Sequence, residues 1–352
     1  MRIEATMTDP ACIDDLVRHG RALEDAGFDT LLVPEAGHDP FLPAMTLAEH
    51  TSKPRLGTGV AIAFPRSPFV TAQLCWDLQR FSRGRFVLGL GTQVKGHNER
   101  RYSTPWPAAP GPRLREYILC LRAIFRNFAT GEAPAFEGEY YRFTLNTPFF
   151  NPGPIEGVDG VPIYIAAVNP YNCRLAGELC EGLRMHPLNT PAYIRDVIRP
   201  AVGDGAARAK RDPNAIDLVA NPFIVIGATS EELAESRRLI RQHISYYAAT
   251  RTYSRVLEHH GWQEIGERLV TLSREGRWKE MPGLVTDEML EELAVTATLE
   301  ELPDRLAARY GGLVTSINPV FGPPYPELQQ RQRRLFESLG PVIERLKHIN
   351  CF

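Results

Sequence analysis

The sequence predicts an α/β fold, a closed (β/α)8 TIM barrel with insertions, and three observations carry that expectation. Short β-type runs alternate with helical patterns along most of the chain, and alternation of this kind builds a parallel sheet because a parallel neighbour needs a crossover helix. The strand-like runs begin near residues 2, 30, 55, 85, 161, 182, 216 and 312, which is the number that closes a barrel. The competing doubly wound sheet calls for a glycine-rich phosphate turn after its first strand, and Thr6-Met7-Thr8-Asp9-Pro10 contains no glycine.

Taken in order, residues 2–7 read as a strand, and Asp9-Pro10 can open a helix on which Ile13, Leu16, Val17 and Leu23 follow helical spacing up to Gly27. The second strand is 30–33, a helix covers about 41–51, and 55–63 is the third strand; Pro68 opens the next helix through Phe81, and Gly84 hands over to the strand 85–90. Residues 91–111 then form a polar, aromatic, proline-rich loop, far longer than the usual connection of about 2–6 residues. A helix at 112–130 and a hairpin or excursion from 136 onward follow. The alternation resumes with a strand at 161–167, a helix at 170–180, a short strand at 182–186, a helix at 191–210 with Pro200 inside it, and a strand at 216–226. Residues 230–310 read as helical throughout, broken at 259–262 and 281–283 and without a strand pattern; 312–319 is the last strand and 325–348 the last helix. Repeats, low-complexity tracts and linker-like shifts are absent. The expectation is therefore one domain over 1–352 with insertions at about 91–111, 131–160 and 230–310.

Composition narrows the function class. The 352 residues carry 40 Lys and Arg against 42 Asp and Glu, a formal charge of -2, which offers no large field to recruit nucleic acid or an anionic bilayer. The six cysteines form no C-x-x-C pair, and the start MRIEATMTDP lacks the basic-then-apolar pattern of a signal peptide. A reduced, cytoplasmic, soluble protein is expected, since no uncharged apolar run approaches the ~18 residues of a membrane span.

In a barrel enzyme the chemistry sits at the carboxyl ends of the strands. After the second strand, Glu35, His38 and Asp39 place three ionisable groups within five residues; a carboxylate beside an imidazole can relay a proton, and the same residues also suit a capped turn. Gly57 and Gly59 interrupt the third strand, as a bulge or a close ligand would require. The fourth strand ends at Thr92-Gln93, and the long loop supplies Lys95, His97, Asn98, Arg100, Arg101, Tyr102 and Trp106, suited to an anionic planar ligand or to a plain solvated loop. Ala166-Ala167-Val168-Asn169-Pro170 leads from the fifth strand into a helix whose free N–H groups can take a phosphate. His259-His260 are adjacent, no HExxH or H-x-x-x-H spacing occurs, and no G-x-S-x-G elbow is present. No metal site is expected, and redox chemistry on an organic cofactor becomes the better reading.

Together these segments resemble the luciferase-like monooxygenase superfamily, particularly its coenzyme F420-dependent oxidoreductases. The resemblance rests on ALEDAGFDTLLVPEAGHDPFLP (22–43), RLGTGVAIAFPRSPFVTAQLCWDLQRFSRGRFVLGLGTQ (55–93), REYILCLRAIF (115–125), FEGEYYRF (136–143) and PIYIAAVNPYNCRLAGELCEGL (162–183). It implies a (β/α)8 barrel with the cofactor across the carboxyl ends, and a non-proline cis peptide at Gly59-Val60 whose bulge, with Ala61, supports the ring. Thr92 and Gln93 match residues at the ring, and Ala166, Ala167, Val168, Asn169 and Pro170 match the segment that holds the cofactor phosphate, with Asn169 where glycine is usual. Glu35 and His38 match positions near the reactive edge, which makes His38, with Glu35, the expected acid or base. His97, Arg100, Arg101 and Trp106 would shape the substrate side or bind the cofactor tail. The implied activity is hydride transfer between F420 and a small organic substrate, either oxidising an alcohol or reducing an activated C=C or C=N bond. The alternatives are a monooxygenase using flavin mononucleotide (FMN) and a non-catalytic barrel that serves as a binding partner. A homodimer is implied by the resemblance alone.

Overall fold

In the computed structural model, which describes residues 1–7 and 10–349, the eight expected strands close into a ring. They are Arg2–Thr6, Thr30–Val33, Arg55–Thr58 continued as Ala61–Ile62, Phe86–Gly91, Ile163–Ala167, Gly182–Met185, Asp217–Ala220 and Ser316–Ile317. Numbered in that order, they run 3-2-1-8-7-6-5-4 around the sheet, and pairing of the third with the fourth completes the circle. Every pairing is parallel: Glu4 lies opposite Thr30, Arg2 opposite Ser316 and Leu56 opposite Phe86. Strands such as TLLV and FVLGLG are buried along their whole length, as strands must be when helices cover one face and the barrel interior the other.

The helices lie where their sequences end them. Ser67 caps the helix Pro68–Phe81 by accepting a hydrogen bond from the Phe69 amide, and Pro110–Thr130 stops at Gly131, whose φ of 74° favours glycine. The lower barrel interior is polar rather than apolar. Arg2 and the Tyr164 hydroxyl both engage Asp217, Arg55 reaches the Tyr164 hydroxyl at 3.1 Å, and Glu4 forms a buried ion pair with Arg184. Arg184 also lies over the Tyr164 ring, 5.1 Å from its centroid.

Several expectations are corrected. The region 230–310 is not helical throughout: Ala294–Ala297 is a strand that pairs in parallel with Phe223–Ile226 outside the barrel, and a four-residue Ala/Val/Thr run beside a helix gives too short a period to read. The strand expected over 216–226 breaks at Asn221-Pro222, because proline has no N–H for the ladder. Pro200 is accommodated by a π-helical turn, Ile194–Ile198, that widens the helix just before it. The last helix divides into Gln329–Glu337 and Gly340–His348, and the last strand shrinks to Ser316–Ile317. The long loop contains a short helix, Lys95–Arg100. The first helix runs Ile13–Asp25; Thr8, Asp9 and Cys351 lie outside the described residues. Among the described residues no helix is long and apolar enough to cross a membrane.

Candidate functional site

A cavity of about 420 Å³ opens at the carboxyl ends of the barrel strands. Its floor and first wall are largely backbone. The third strand breaks at the cis peptide Gly59-Val60, and the resulting bulge rests on the fourth strand so closely that a Cβ on Gly91 would meet Val60 Cγ2 at 2.7 Å. Glycine at position 91 is therefore demanded by a neighbour rather than by a turn. The fourth strand ends in Thr92-Gln93, with Gln93 at a φ of 56°, a left-handed conformation uncommon for a side chain of this kind. Asn98, fully buried, pins that segment: its Nδ2 donates to the Thr92 carbonyl at 2.9 Å and to that of Val94 at 3.2 Å. The opposite wall is Ala166, Ala167, Val168 and Asn169, leading into the helix Pro170–Leu179 with proline at its first position. The Tyr193 hydroxyl donates to the Val168 carbonyl at 3.2 Å.

Glu35 lines this cavity but is already engaged. Its Oε2 accepts hydrogen bonds from the Ile62 amide and from Arg66 Nη1, both at 2.7 Å, and Arg66 also pairs with Asp39 at 2.8 Å. The carboxylate thus ties the end of the second strand to the far side of the bulge. His38 sits on the exposed turn beyond it, outside the cavity lining. Arg101 spans from the long loop to donate to the Ala36 carbonyl at 2.6 Å in that same turn.

Of the residues singled out from sequence, the cavity brings together Glu35, Gly59, Val60, Thr92, Gln93 and Ala166 to Asn169. Ala61 is buried beneath the bulge, opposite Leu90, and Pro170 begins the adjoining helix. His97 and Arg100 are exposed on the short helix of the loop. Trp106 packs edge-on against Phe64, ring centroids 5.8 Å apart, and lies outside the cavity lining.

Sequence reading missed the residues supplied by the later strands and the outer helices. Arg184 and His186 come from the sixth strand and its end, Asn221 from the end of the seventh and Asn318 from the end of the eighth. Extending the strand-end rule past the fifth strand would have found them. Tyr247 and Tyr253 carry no such signal, because tertiary packing alone brings the helix Ser230–Ala248 and the turn Arg251–Tyr253 over the mouth. His186 stacks on Tyr253 at 3.8 Å and meets Tyr247 edge-on at 4.3 Å. Burial, with His243 nearby, pushes the His186 pKa down to about 3. Burial also lowers His243 to about 4, against an opposing backbone hydrogen bond at Gly322. The Tyr253 hydroxyl is pushed up to about 12 by burial, with Tyr246 adding to the shift. This wall is therefore uncharged at neutral pH.

The family profile described as luciferase-like monooxygenase matches residues 1–316. The chain belongs to the luciferase-like monooxygenase family. An uncharacterized protein of Mycobacterium tuberculosis is 40% identical over 300 residues, covering 85% of this chain and 88% of the relative. The F420-dependent glucose-6-phosphate dehydrogenase of Intrasporangium calvum is 32% identical over 219 residues, covering 58% of this chain and 63% of that one. Among solved structures, the coenzyme F420-dependent tetrahydromethanopterin reductase of Methanopyrus kandleri superposes with a TM-score of 0.77 at 21% identity, covering 98% of both chains. The cis peptide implied by the resemblance stands at Gly59-Val60 in this luciferase-like barrel, and its relatives include F420-dependent oxidoreductases.

Proposed function

We propose that this luciferase-like barrel is an oxidoreductase that uses coenzyme F420 to transfer a hydride to or from a small organic substrate. The observation that carries the reading is the slot between the Gly59-Val60 bulge and Ala166–Asn169, walled by backbone and small side chains as a flat ring requires. The fit is tight where it matters: with Gly91 beneath Val60 there is no room for a larger residue under the bulge. Val60, Thr92 and Gln93 would hold the ring, and the amides that open the helix Pro170–Leu179 would take the phosphate. When bound, the deazaflavin supplies a carbon centre that gives or accepts hydride.

The chain's own residues would orient and shield. Glu35, held by Arg66 and the Ile62 amide, fixes the bulge and is a positioning residue in this reading. His38, on the turn clamped by Arg101, would exchange the proton from the rim. A second copy of the chain is the proposed partner, because Leu42 and Met45 on the helix Phe41–His50 and Val70 and Leu74 on the neighbouring helix Pro68–Phe81 leave apolar side chains in solvent.

Titrating the purified protein with F420 and separately with FMN, followed by fluorescence, tests the proposal. Preferential binding of F420 is expected. Preference for FMN would move the chain to the monooxygenases, and binding of neither would leave a non-catalytic barrel.

A further inference from the structure

The aromatic wall of the cavity holds a histidine whose two ring nitrogens have different fates. The Leu188 amide donates to His186 Nδ1 at 3.1 Å. A nitrogen that accepts carries no proton, so the neutral ring bears its proton on Nε2. Among the described residues Nε2 has no protein partner, and the residue lines the cavity. Tyr253 on one face and Tyr247 at the edge fix the ring in place. Two amide donors on this side are committed: Asn221 Nδ2 to the Met185 carbonyl at 2.5 Å and Asn318 Nδ2 to Thr6 Oγ1 at 2.9 Å.

The charge of the cavity is equally specific. Its formally charged lining residues are Glu35 and Arg184. The first is paired with Arg66 and the second with Glu4. A charged group placed against the tyrosines would find no compensating partner there, at a high desolvation cost.

We propose that His186 donates a hydrogen bond from Nε2 to a carbonyl or imine acceptor on an uncharged substrate packed against Tyr247 and Tyr253. This deepens the oxidoreductase reading and rests on it for the substrate's fate, but the recognition itself needs only the cavity. Stacking alone would be served as well by phenylalanine; the bond from Leu188 is what makes an imidazole useful, because it aims a fixed N–H at the ligand. The ionisable groups packed around the ring are Tyr247 and His243 from the helix Ser230–Ala248 and Tyr253 from the adjoining turn. Arg184, two residues back on the same strand, is neutralised by Glu4.

The test uses the full chain labelled with 15N-histidine, with cyclohexanone and its methylene isostere, methylenecyclohexane, as probes. The His186 signals are assigned by their loss in His186→Phe. A proton on Nε2 from pH 8 to pH 5, and an Nε2 shift with the ketone but not with the alkene, are expected. His186→Phe should weaken the ketone about tenfold and leave the alkene unchanged, and His186→Gln should recover part of the loss. A proton on Nδ1, titration within that range, equal responses to both probes or no response to either overturns the proposal. Parallel F420 titrations of the parent and of His186→Phe separate the two readings. Failure of F420 to bind the parent removes the cofactor assignment while the probe result stands by itself, and selective ketone loss with F420 binding intact supports both.

Discussion

Lowering the pH towards about 5 should destabilise this protein chiefly through its histidines His186 and His243. His186 and His243 have pKa values pushed down from 6.5 to about 3 and about 4. In the unfolded chain both return to about 6.5. Below that value the unfolded state binds protons that the folded state refuses, so the stability present above about pH 6.5 is lost as the pH falls towards the folded-state values. Going from about pH 7.5 to about pH 5 costs about 2 kcal/mol for each histidine, or about 4 kcal/mol for the pair. With an unfolding entropy near 2 cal/mol/K per residue over a chain of this length, that is a fall of about 5 °C in Tm. His19 and His260 are also lowered by burial and add with the same sign. Asp15, which Arg333 holds well below the usual carboxylate range, contributes only at more acidic pH. The assay is scanning calorimetry of the parent and of the double variant His186→Phe/His243→Phe at the two pH values. The double variant should lose about 5 °C less than the parent on acidification. Equal losses would refute the reasoning, since they would show that neither imidazole is held neutral by its surroundings.

Two further outcomes follow from the same geometry. Gly91→Ala sets a methyl group 2.7 Å from Val60 Cγ2, so it should displace the bulge, cost about 1–3 kcal/mol by overpacking and weaken F420 binding while the far-UV circular dichroism stays unchanged; retention of full affinity would show that the bulge does not seat the ring. If the chain pairs through the exposed face of Pro68–Phe81 as proposed, sedimentation velocity should report a dimer for the parent and a monomer for Val70→Glu with Leu74→Glu, with little change in Tm; a parent that sediments as a monomer would refute the pairing.

Much of the fold was legible because its signals are periodic. The barrel strands are short apolar runs that alternate with helices, and each sits within a few residues of its expected place. The elements misread are those in which local composition is ambiguous. Ala294–Ala297 becomes a strand only because Phe223–Ile226 offers it a partner, and Pro222 and Pro200 act through a missing N–H whose consequence depends on the neighbours. The site was half legible. Gly59, Val60, Thr92, Gln93 and Ala166–Asn169 gather around one cavity as the strand-end rule predicts. His38, His97 and Arg100 stand in solvent, because residue type alone does not reveal which way a loop faces. Glu35 was noticed for its charge, yet its partner Arg66 lies 31 positions on and became visible only when the third strand folded beside the second. Tyr247 and Tyr253 belong to a region read as plain helix, and nothing in their spacing announces a ligand.

The parallel pair Phe223–Ile226 and Ala294–Ala297 brings the two ends of the intervening segment together. Everything between them leaves the barrel and returns to the same spot, like a loop of thread tied at its base. That segment supplies Tyr247, Thr252 and Tyr253, whereas the barrel strands, their ends and the start of the helix Pro170–Leu179 supply the remainder of the cavity. Inheritance can therefore rewrite this one wall of the chamber while leaving the rest intact: insertions, deletions or replacement between the tied ends would change what the aromatic wall admits without shifting the register of a single barrel strand. The strands beneath hold the slot between the Gly59-Val60 bulge and Ala166–Asn169 in place whatever the outer helices become.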